Sequence, residues 1–167
     1  IVVKMRISIL IGGKAGQGIN KVAGIVSQAL MNYGYYVFNY RDYQSLIRGG
    51  HNFNILSVSN EPITSCESKV DVIAAIDRNT LKLHKDELKE GGIILDSDKF
   101  SKYGININIA LSGALIKILG LDKSFLLSEV KKQFADKHSF SEGIDAANSG
   151  YESQINIFKL KKLNNTV

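Results

Sequence analysis

The sequence predicts a three-layer α/β/α domain with a mostly parallel central sheet. Apolar runs of strand length alternate with segments whose apolar residues recur at helical spacing, and glycine-rich turns separate them. This alternation is typical of α/β proteins, in which helices cover both faces of the sheet. At 167 residues the chain has the size of a single domain with one core.

The first part of the chain is predicted to form strand, turn, helix and strand. Arg6–Ile11 is a short apolar run that ends at glycine, which predicts a buried strand followed by a turn over Gly12–Gly18. Apolar residues spaced by three and four predict an amphipathic helix over Ile19–Tyr33, which Gly34 would end. Tyr36–Tyr40 is aromatic and β-branched, which predicts the second strand.

The next connection decides the direction of the third strand. Arg41–His51 shows no helical periodicity, and a parallel crossover ordinarily needs a helix. The third strand, Phe53–Val58, is therefore predicted to run antiparallel to the second. The remaining predicted elements are the strands Asp71–Ile76 and Gly92–Asp96, the helices Thr80–Lys89, Leu111–Leu119, Ser124–Phe134 and Phe140–Tyr151, and a basic, partly extended tail over Asn156–Leu163.

The composition excludes several classes of protein. No apolar run reaches the ~18 residues of a membrane span. Cys66 is the single cysteine, which excludes a disulfide framework and an all-cysteine metal or iron–sulfur site. We therefore expect a cytoplasmic protein without a membrane partner. The net charge of +5 favours anionic ligands, but the sequence has no basic run or aromatic–basic pattern, so nucleic acid is not an expected partner.

The first candidate site is the glycine turn, Gly13–Gly18, with the sequence GKAGQG. Glycines between a strand and a helix let backbone N–H groups approach a phosphate, which the helix N-terminus also attracts, and Lys14 adds a cation. The glycine order is not that of the dinucleotide fingerprint, no acidic residue ends the second strand, and no Lys-Ser/Thr pair completes a P-loop. Alternatively, the glycines serve only a tight turn.

The second candidate site is the arginine loop, Ser45–Asn52, with the sequence SLIRGGHN. Arg48 offers a planar fork of donors for phosphate or carboxylate, and two glycines permit close approach. If the first two strands are parallel, both loops emerge at the same sheet edge. Alternatively, Arg48 pairs with Asp42 and the glycines form a hairpin turn. The candidate ligand-binding residues are Gly13, Lys14, Gly16, Gln17, Gly18, Ser45, Arg48, Gly49, Gly50 and Asn52.

Other chemistry-bearing residues form no recognisable catalytic set. His51 lies in the arginine loop and could contact a ligand, whereas His84 is predicted to be a surface residue of a polar helix. Asp77 and Asp96 follow buried strands and are predicted to cap the next helices. No spacing indicates a metal site or an activated nucleophile. Taken alone, these residues predict a binding domain with no catalytic residue.

Several stretches of the chain resemble the γ domain of 2-oxoacid:ferredoxin oxidoreductases. They are GGKAGQGINKVAG, YGYYVFNYRDYQSLIRGGHN, IDRNTLKLHKDELKEGGIILDSD, NIALSGALIKILGLD and EGIDAANSGYE. The resemblance covers nearly the whole chain, with residues 1–155 as the γ-type domain and 156–167 as a tail or a linker towards an α domain. The segment Lys99–Ile107 is shorter than in that family, so family contacts made there do not carry over.

The resemblance implies an activity that the residues alone do not. These enzymes, which act on acids such as pyruvate or 2-oxoglutarate, decarboxylate a 2-oxoacid oxidatively with coenzyme A and reduce ferredoxin. It implies that coenzyme A binds at this domain, and that thiamine diphosphate, magnesium and iron–sulfur clusters lie on partner domains, with none in this chain. The implied partners are the α and β domains or subunits and, through the complex, ferredoxin. The isolated chain is then expected to be inactive.

Two other functions remain open from the sequence. A free-standing nucleotide-binding oxidoreductase would use the same fold, although the glycine order and the missing ribose-binding acid disfavour it. A purely structural subunit would use the glycine turn and the arginine loop to pack on its neighbours. The sequence does not indicate which 2-oxoacid is used or whether the γ domain is separate or fused.

Overall fold

A computed structural model describes residues 4–43, 49–133 and 137–165, and shows a five-stranded sheet with five α-helices. The strands are β1 Arg6–Lys14, β2 Tyr36–Asp42, β3 His51–Ser59, β4 Val70–Ala75 and β5 Leu88–Asp96. The helices are α1 Ile19–Asn32, α2 Arg78–His84, α3 Ile107–Leu119, α4 Ser124–Gln133 and α5 Lys137–Glu152, with 3₁₀ segments at Lys85–Glu87 and Ser97–Asn106.

The strand order across the sheet is β2-β3-β1-β4-β5. β3 pairs antiparallel with both β1 and β2, whereas β4 pairs in parallel with β1 and β5. Four strands therefore point the same way and β3 alone points back. This arrangement confirms the mostly parallel sheet and the antiparallel third strand predicted from the sequence.

Helices cover both faces of the sheet. Ile9 of β1 and its partner Leu56 of β3 face a large core with α1, α3, α4 and α5. Leu10 and its partner Ile55 face a smaller cluster that includes Leu81 of α2. The period-two alternation along the strands thus separates two cores of unequal size, and the α2 layer is the thinner one.

The elements differ from the sequence prediction mainly at their ends. β1 continues through both glycines to Lys14, because β3 remains paired with it as far as His51. The predicted helix Thr80–Lys89 was too long: α2 ends at His84, and Leu88 already begins β5. Ser97–Asn106 forms a 3₁₀ segment where only a loop was expected. No helix in the described part of the chain is long and apolar enough to cross a membrane.

Glycines define two helix ends and one helix crossing. Gly34 (φ 86°) and Gly120 (φ 85°) end α1 and α3 in the left-handed conformation. The N–H group of the residue after each glycine, Tyr35 or Leu121, donates back to a carbonyl oxygen in the last turn of the helix. Gly113 of α3 and Gly150 of α5 let the backbones of these helices approach closely. α3 is consequently buried on nearly all sides.

The tail packs back onto the domain. The N–H of Leu163 donates to the carbonyl oxygen of Tyr33 at 2.8 Å, and the Tyr35 hydroxyl donates to the carbonyl oxygen of Lys161 at 2.8 Å. Phe158 and Leu160 pack against the large core. The tail therefore contributes to the domain as far as the structure describes it.

Candidate functional site: the glycine turn at the sheet edge

The glycine turn and the described part of the arginine loop meet at one sheet edge. In the β1–β3 register, Lys14 lies opposite His51 and Gly13 lies opposite Asn52. The Ala15 N–H donates to the carbonyl oxygen of Gly50 at 2.8 Å. The glycine turn and residues 49–52 of the arginine loop therefore lie together at the edge that the sequence predicted, because β1 and β2 run in the same direction.

The glycine turn is held by its own hydrogen bonds. The Gln17 N–H donates to the carbonyl oxygen of Lys14 at 3.1 Å, and the Lys14 N–H donates to Gln17 Oε1 at 2.6 Å. Gly16 (φ 91°) and Gly18 (φ 85°) take the left-handed backbone conformation that favours glycine. The glycine turn was expected to direct the backbone N–H groups of Gly16, Gln17 and Gly18 toward an anion, and this expectation is corrected for Gln17, whose N–H bonds within the turn.

The start of α1 is an uncapped helix N-terminus. Gly18 is the N-cap residue, no side chain bonds to the cap, and no acidic residue lies in the first turn. The first N–H groups of a helix have no partner within it, and the helix dipole attracts negative charge there. Lys14, the last residue of β1, is exposed and lies four residues before the N-cap. Burial lowers the pKa of Lys21 in the same helix.

A cavity of about 290 Å³ opens beside the helix start. One wall is the glycine turn and Ile76, and the other is formed by Gly104, Ile105, Ile107 and Asn108. Asn108 Oδ1 is buried and accepts no hydrogen bond from the described residues, while Ile105 is 91% exposed at the rim. Sequence reasoning missed this second wall, although Gly104 in the Ser97–Asn106 segment was a possible signal.

The arginine loop is described only in part. Gly49 has φ 92°, and Asn52 is buried with an Oδ1 that accepts no hydrogen bond from the described residues. Ser45 and Arg48 lie outside the described residues, so the predicted Arg48 contact and its alternative, a pair with Asp42, both stay predictions.

A larger cavity lies elsewhere and suits an anion less well. It measures about 620 Å³ and lies between the Ser97–Asn106 segment and α5. Its lining includes the carboxylates of Glu142, Asp145 and Glu152. Carboxylates repel phosphate, so this cavity suits an anion less well than the smaller cavity beside the glycine turn does.

The histidines differ from the sequence expectation. His84 is only 6% exposed, which makes the predicted surface position wrong. Its Nε2 lies 2.8 Å from Nε2 of His51, and its Nδ1 lies 3.1 Å from Oε1 of Glu87. Thr80 and His84 form the buried side of α2, and the His84 ring packs on Phe53 of the smaller core. A short polar helix gave no signal of this burial.

The two aspartates cap helices, as predicted. Asp77 Oδ1 accepts from the N–H and the hydroxyl of Thr80, both at 2.9 Å. Asp96 Oδ1 accepts from the Asp98 N–H at 2.9 Å. Among the described residues, no group of three or more His, Cys, Asp or Glu side chains could hold a metal ion.

The fold and the site define an α/β domain whose sheet edge carries a glycine turn and an uncapped helix N-terminus. Residues 8–106 match the family described as pyruvate ferredoxin/flavodoxin oxidoreductase, and the chain belongs to this family. The family resemblance found in the sequence is thereby confirmed.

Two relatives of known function differ in how much of their own length this chain covers. The α subunit of a 2-oxoacid:ferredoxin oxidoreductase from a Sulfolobus species is 36% identical over 86 residues, which are 52% of this chain and 14% of the relative. The 2-oxoglutarate synthase subunit KorC of Methanocaldococcus jannaschii is 25% identical over 177 aligned residues, covering 90% of this chain and 95% of KorC. This chain thus spans a small part of the first relative and nearly all of the second.

Solved structures share the fold. A 2-oxoglutarate:ferredoxin oxidoreductase from Magnetococcus marinus, determined with 2-oxoglutarate, coenzyme A and succinyl-CoA bound, matches with a TM-score of 0.81 at 16% identity, over 96% of this chain and 34% of that one. The pyruvate oxidoreductase subunit PORC of Thermotoga maritima matches with a TM-score of 0.72 at 19% identity, over 88% of this chain and 96% of that one.

Proposed function

We propose that this chain is the γ domain or γ subunit of a 2-oxoacid:ferredoxin oxidoreductase, and that it binds coenzyme A at the glycine turn. The observation that carries the proposal is the uncapped N-terminus of α1, which opens with Gly18 onto the cavity of about 290 Å³. The family membership supports the enzyme class. The coenzyme A bound to the Magnetococcus marinus enzyme supports the ligand.

The chemistry of coenzyme A suits this edge. Its pyrophosphate carries negative charge, which the first N–H groups of α1 and the Lys14 ammonium would stabilise. Gly16 has no other atom within 4 Å of where a Cβ would lie, so a ligand could approach the backbone there. Arg48, predicted from the sequence, would add a second cation. The N–H of Gln17 stays engaged with Lys14 and holds the turn in shape.

The other cofactors of such enzymes do not fit this chain. Iron–sulfur clusters are held mainly by cysteine thiolates, and the chain has one cysteine, Cys66. The proposal therefore assigns the clusters, thiamine diphosphate and magnesium to the α and β partners. In this assignment the domain binds one substrate and assembles with the partners that perform the chemistry.

Calorimetric titration of the full chain with coenzyme A tests the proposal. We expect Lys14→Gln, which leaves the backbone bonds of the turn in place, and Arg48→Ala each to weaken binding by about ten- to a hundredfold, the typical loss of a charge-assisted contact. Lys132→Gln, on the exposed side of α4, is the matched control and should bind like the wild type. Equal affinity of all four proteins would place the ligand elsewhere.

The same experiment separates the alternatives. Binding of NAD in place of coenzyme A would favour a free-standing nucleotide-binding oxidoreductase. Binding of neither ligand, with tight binding to an α–β core, would favour a structural subunit. If the reading frame continues past Val167 into an α-type domain, residues 156–167 serve as the linker of a fused protein.

A further inference from the structure

Two histidines from different elements meet behind the glycine turn. His51 begins β3 and His84 ends α2, and their Nε2 atoms lie 2.8 Å apart. Both rings also pack on Phe53, with ring centroids 6.1 Å from His51 and 4.4 Å from His84. A direct contact between two imidazole nitrogens is a hydrogen bond only if one nitrogen carries a proton and the other does not.

Glu87 determines which nitrogen carries the proton. An ionised carboxylate only accepts hydrogen bonds, so the His84 Nδ1 at 3.1 Å from Glu87 Oε1 must donate. In the neutral His84 ring, Nε2 is then the acceptor, and the His51 Nε2–H donates to it. The three side chains form one directed chain, His51 to His84 to Glu87.

This row of hydrogen-bonded side chains ends, at His51, beside the backbone of the proposed ligand site. His51 lies opposite Lys14 in the β1–β3 register, and its neighbour Gly50 accepts the hydrogen bond of the Ala15 N–H. We propose that His84 is a positioning residue that fixes residues 49–52, the described end of the arginine loop, against the glycine turn, and that the His51–His84 contact releases these residues in acid. The inference rests on the proposed function only for its effect on ligand binding.

The acid sensitivity of the His51–His84 contact follows from the number of protons that the two imidazole rings carry. With no added proton, or with one, the two facing nitrogens can still share a hydrogen bond. With a proton added to each ring, both facing nitrogens carry hydrogen and two positive charges meet, so the contact breaks. The titratable side chains that face His51 are those of His84, Asp77 and Asp42. Lys14 lies opposite His51 in the β1–β3 register, and Glu87 faces His84.

The direction of the pH dependence is set by the burial of His51. Burial and the neighbouring His84 lower the pKa of His51, and together they outweigh Asp77 and Asp42, which raise it. Because the folded-state pKa is lowered, the unfolded or opened state binds more protons in acid. The contact is therefore complete above the ordinary histidine range of about pH 6.5 and is lost as the pH falls below it.

Hydrogen exchange at the Ala15 amide measures the contact without any ligand. We expect the protection factor of this amide to stay level from about pH 8 to about pH 6.5 and to fall by about tenfold or more by about pH 4.5. His84→Gln keeps an acceptor for His51 and a donor for Glu87 but does not titrate, so its protection should fall clearly less in acid than that of the wild type, because only the burial of His51 still lowers its pKa. His84→Phe keeps an aromatic ring without an acceptor, so its protection should be low at every pH.

Matched variants make the result specific. His138 is a surface histidine with a side chain 85% exposed, and His138→Gln should follow the wild-type profile. His84→Gln retains Asp42, Asp77 and Glu87, so it controls for protonation of these carboxylates. An acid fall of the same size in His84→Gln, or a level wild-type profile, would overturn the inference.

Ligand binding separates this inference from the proposed function. Coenzyme A affinity should weaken in acid in step with the Ala15 protection in the wild type, and should weaken clearly less in His84→Gln. If coenzyme A does not bind at any pH while the exchange profiles follow the expectation, the proposed function fails and the positioning role stands. If coenzyme A binds with the same acid dependence in both proteins, the positioning role fails and the proposed function stands.

Discussion

Gly16 and Gly18 lie in the same turn, but glycine is required at the two positions for different structural reasons. Both take positive φ angles, which cost any other L-residue conformational energy. A Cβ at Gly16 would meet no atom within 4 Å, whereas one at Gly18 would lie 2.6 Å from Asn108 Nδ2. The first glycine is required by backbone conformation alone, and the second also by the neighbouring wall of the cavity.

This difference predicts unequal costs of substitution. Gly16→Ala should lower the free energy of unfolding by about 1 kcal/mol, the cost of the left-handed conformation. Gly18→Ala should lower it further, because Asn108 must also move. Urea denaturation of the two variants provides the measurement, and a smaller loss for Gly18→Ala would show that Asn108 does not constrain the turn.

At the scale of elements, the crossing of α3 and α5 has the tightest sequence requirement. A Cβ at Gly113 would lie against the carbonyl oxygen of Ala147 and 2.9 Å from the Tyr151 nitrogen. A Cβ at Gly150 would lie against the backbone of Ala110. Because these atoms belong to helix backbones, the helices would have to separate to accommodate a methyl group.

Replacing glycine by alanine is predicted to have opposite effects on stability at the α3–α5 crossing and at an exposed helix position. Gly113→Ala and Gly150→Ala should each destabilise the domain by about 1–3 kcal/mol or more through overpacking. Gly24→Ala, on the exposed side of α1 with no atom within 4 Å of the new Cβ, should stabilise it by about 0.5–1 kcal/mol. Thermal unfolding of the three variants measures this, and a destabilised Gly24→Ala protein would contradict the assignment.

The tail is the second element whose role the structure defines. Tyr35 is 3% exposed, and its hydroxyl donates to the Lys161 carbonyl oxygen. The side chain of Asn165 donates to the carbonyl oxygen of Gly34 at 3.2 Å. These bonds connect the tail to the turn between α1 and β2.

Loss of the tail contact should destabilise the domain locally. Tyr35→Phe removes the hydroxyl and should cost about 1 kcal/mol, the net value of a typical hydrogen bond. Tyr36→Phe is the matched control, because the hydroxyl of Tyr36 makes no hydrogen bond with the part of the chain that the structure describes. If urea denaturation gives equal stabilities for Tyr35→Phe and the wild type, the tail does not rest on the domain in solution.

At the scale of the whole molecule, the topology gathers the candidate site at one edge. β1, β2, β4 and β5 run in one direction, so the residues that follow β1 and β4 meet there. Open α/β sheets usually bind ligands at this edge. Among the described residues, the edge holds backbone donors, amides and a lysine, together with His51 and Asp77.

The composition of the site predicts dependence on partners. The purified chain should carry no iron–sulfur absorbance, retain no thiamine diphosphate and fail to oxidise pyruvate or 2-oxoglutarate. The physical reason is the single Cys66 and the absence of a metal-binding group among the described residues. Absorbance in the visible region from a bound cluster, or turnover by the isolated chain, would contradict this prediction.

The sequence by itself determined the order of elements, because their signals are local. Spacing by three and four identified α1, and the missing helix before Phe53 identified the reversal of β3. The glycine turn and Gly34 were also visible, since a positive φ angle selects glycine directly.

Only the tertiary structure decided which side chains meet across elements. His84 contacts His51 because α2 folds over the smaller core, and Asn108 faces Gly18 because α3 returns to the start of α1. The use of the Gln17 N–H within the turn likewise depends on three-dimensional geometry. Such contacts join residues far apart in the chain or fix a bond direction, and neither periodicity nor composition carries that information.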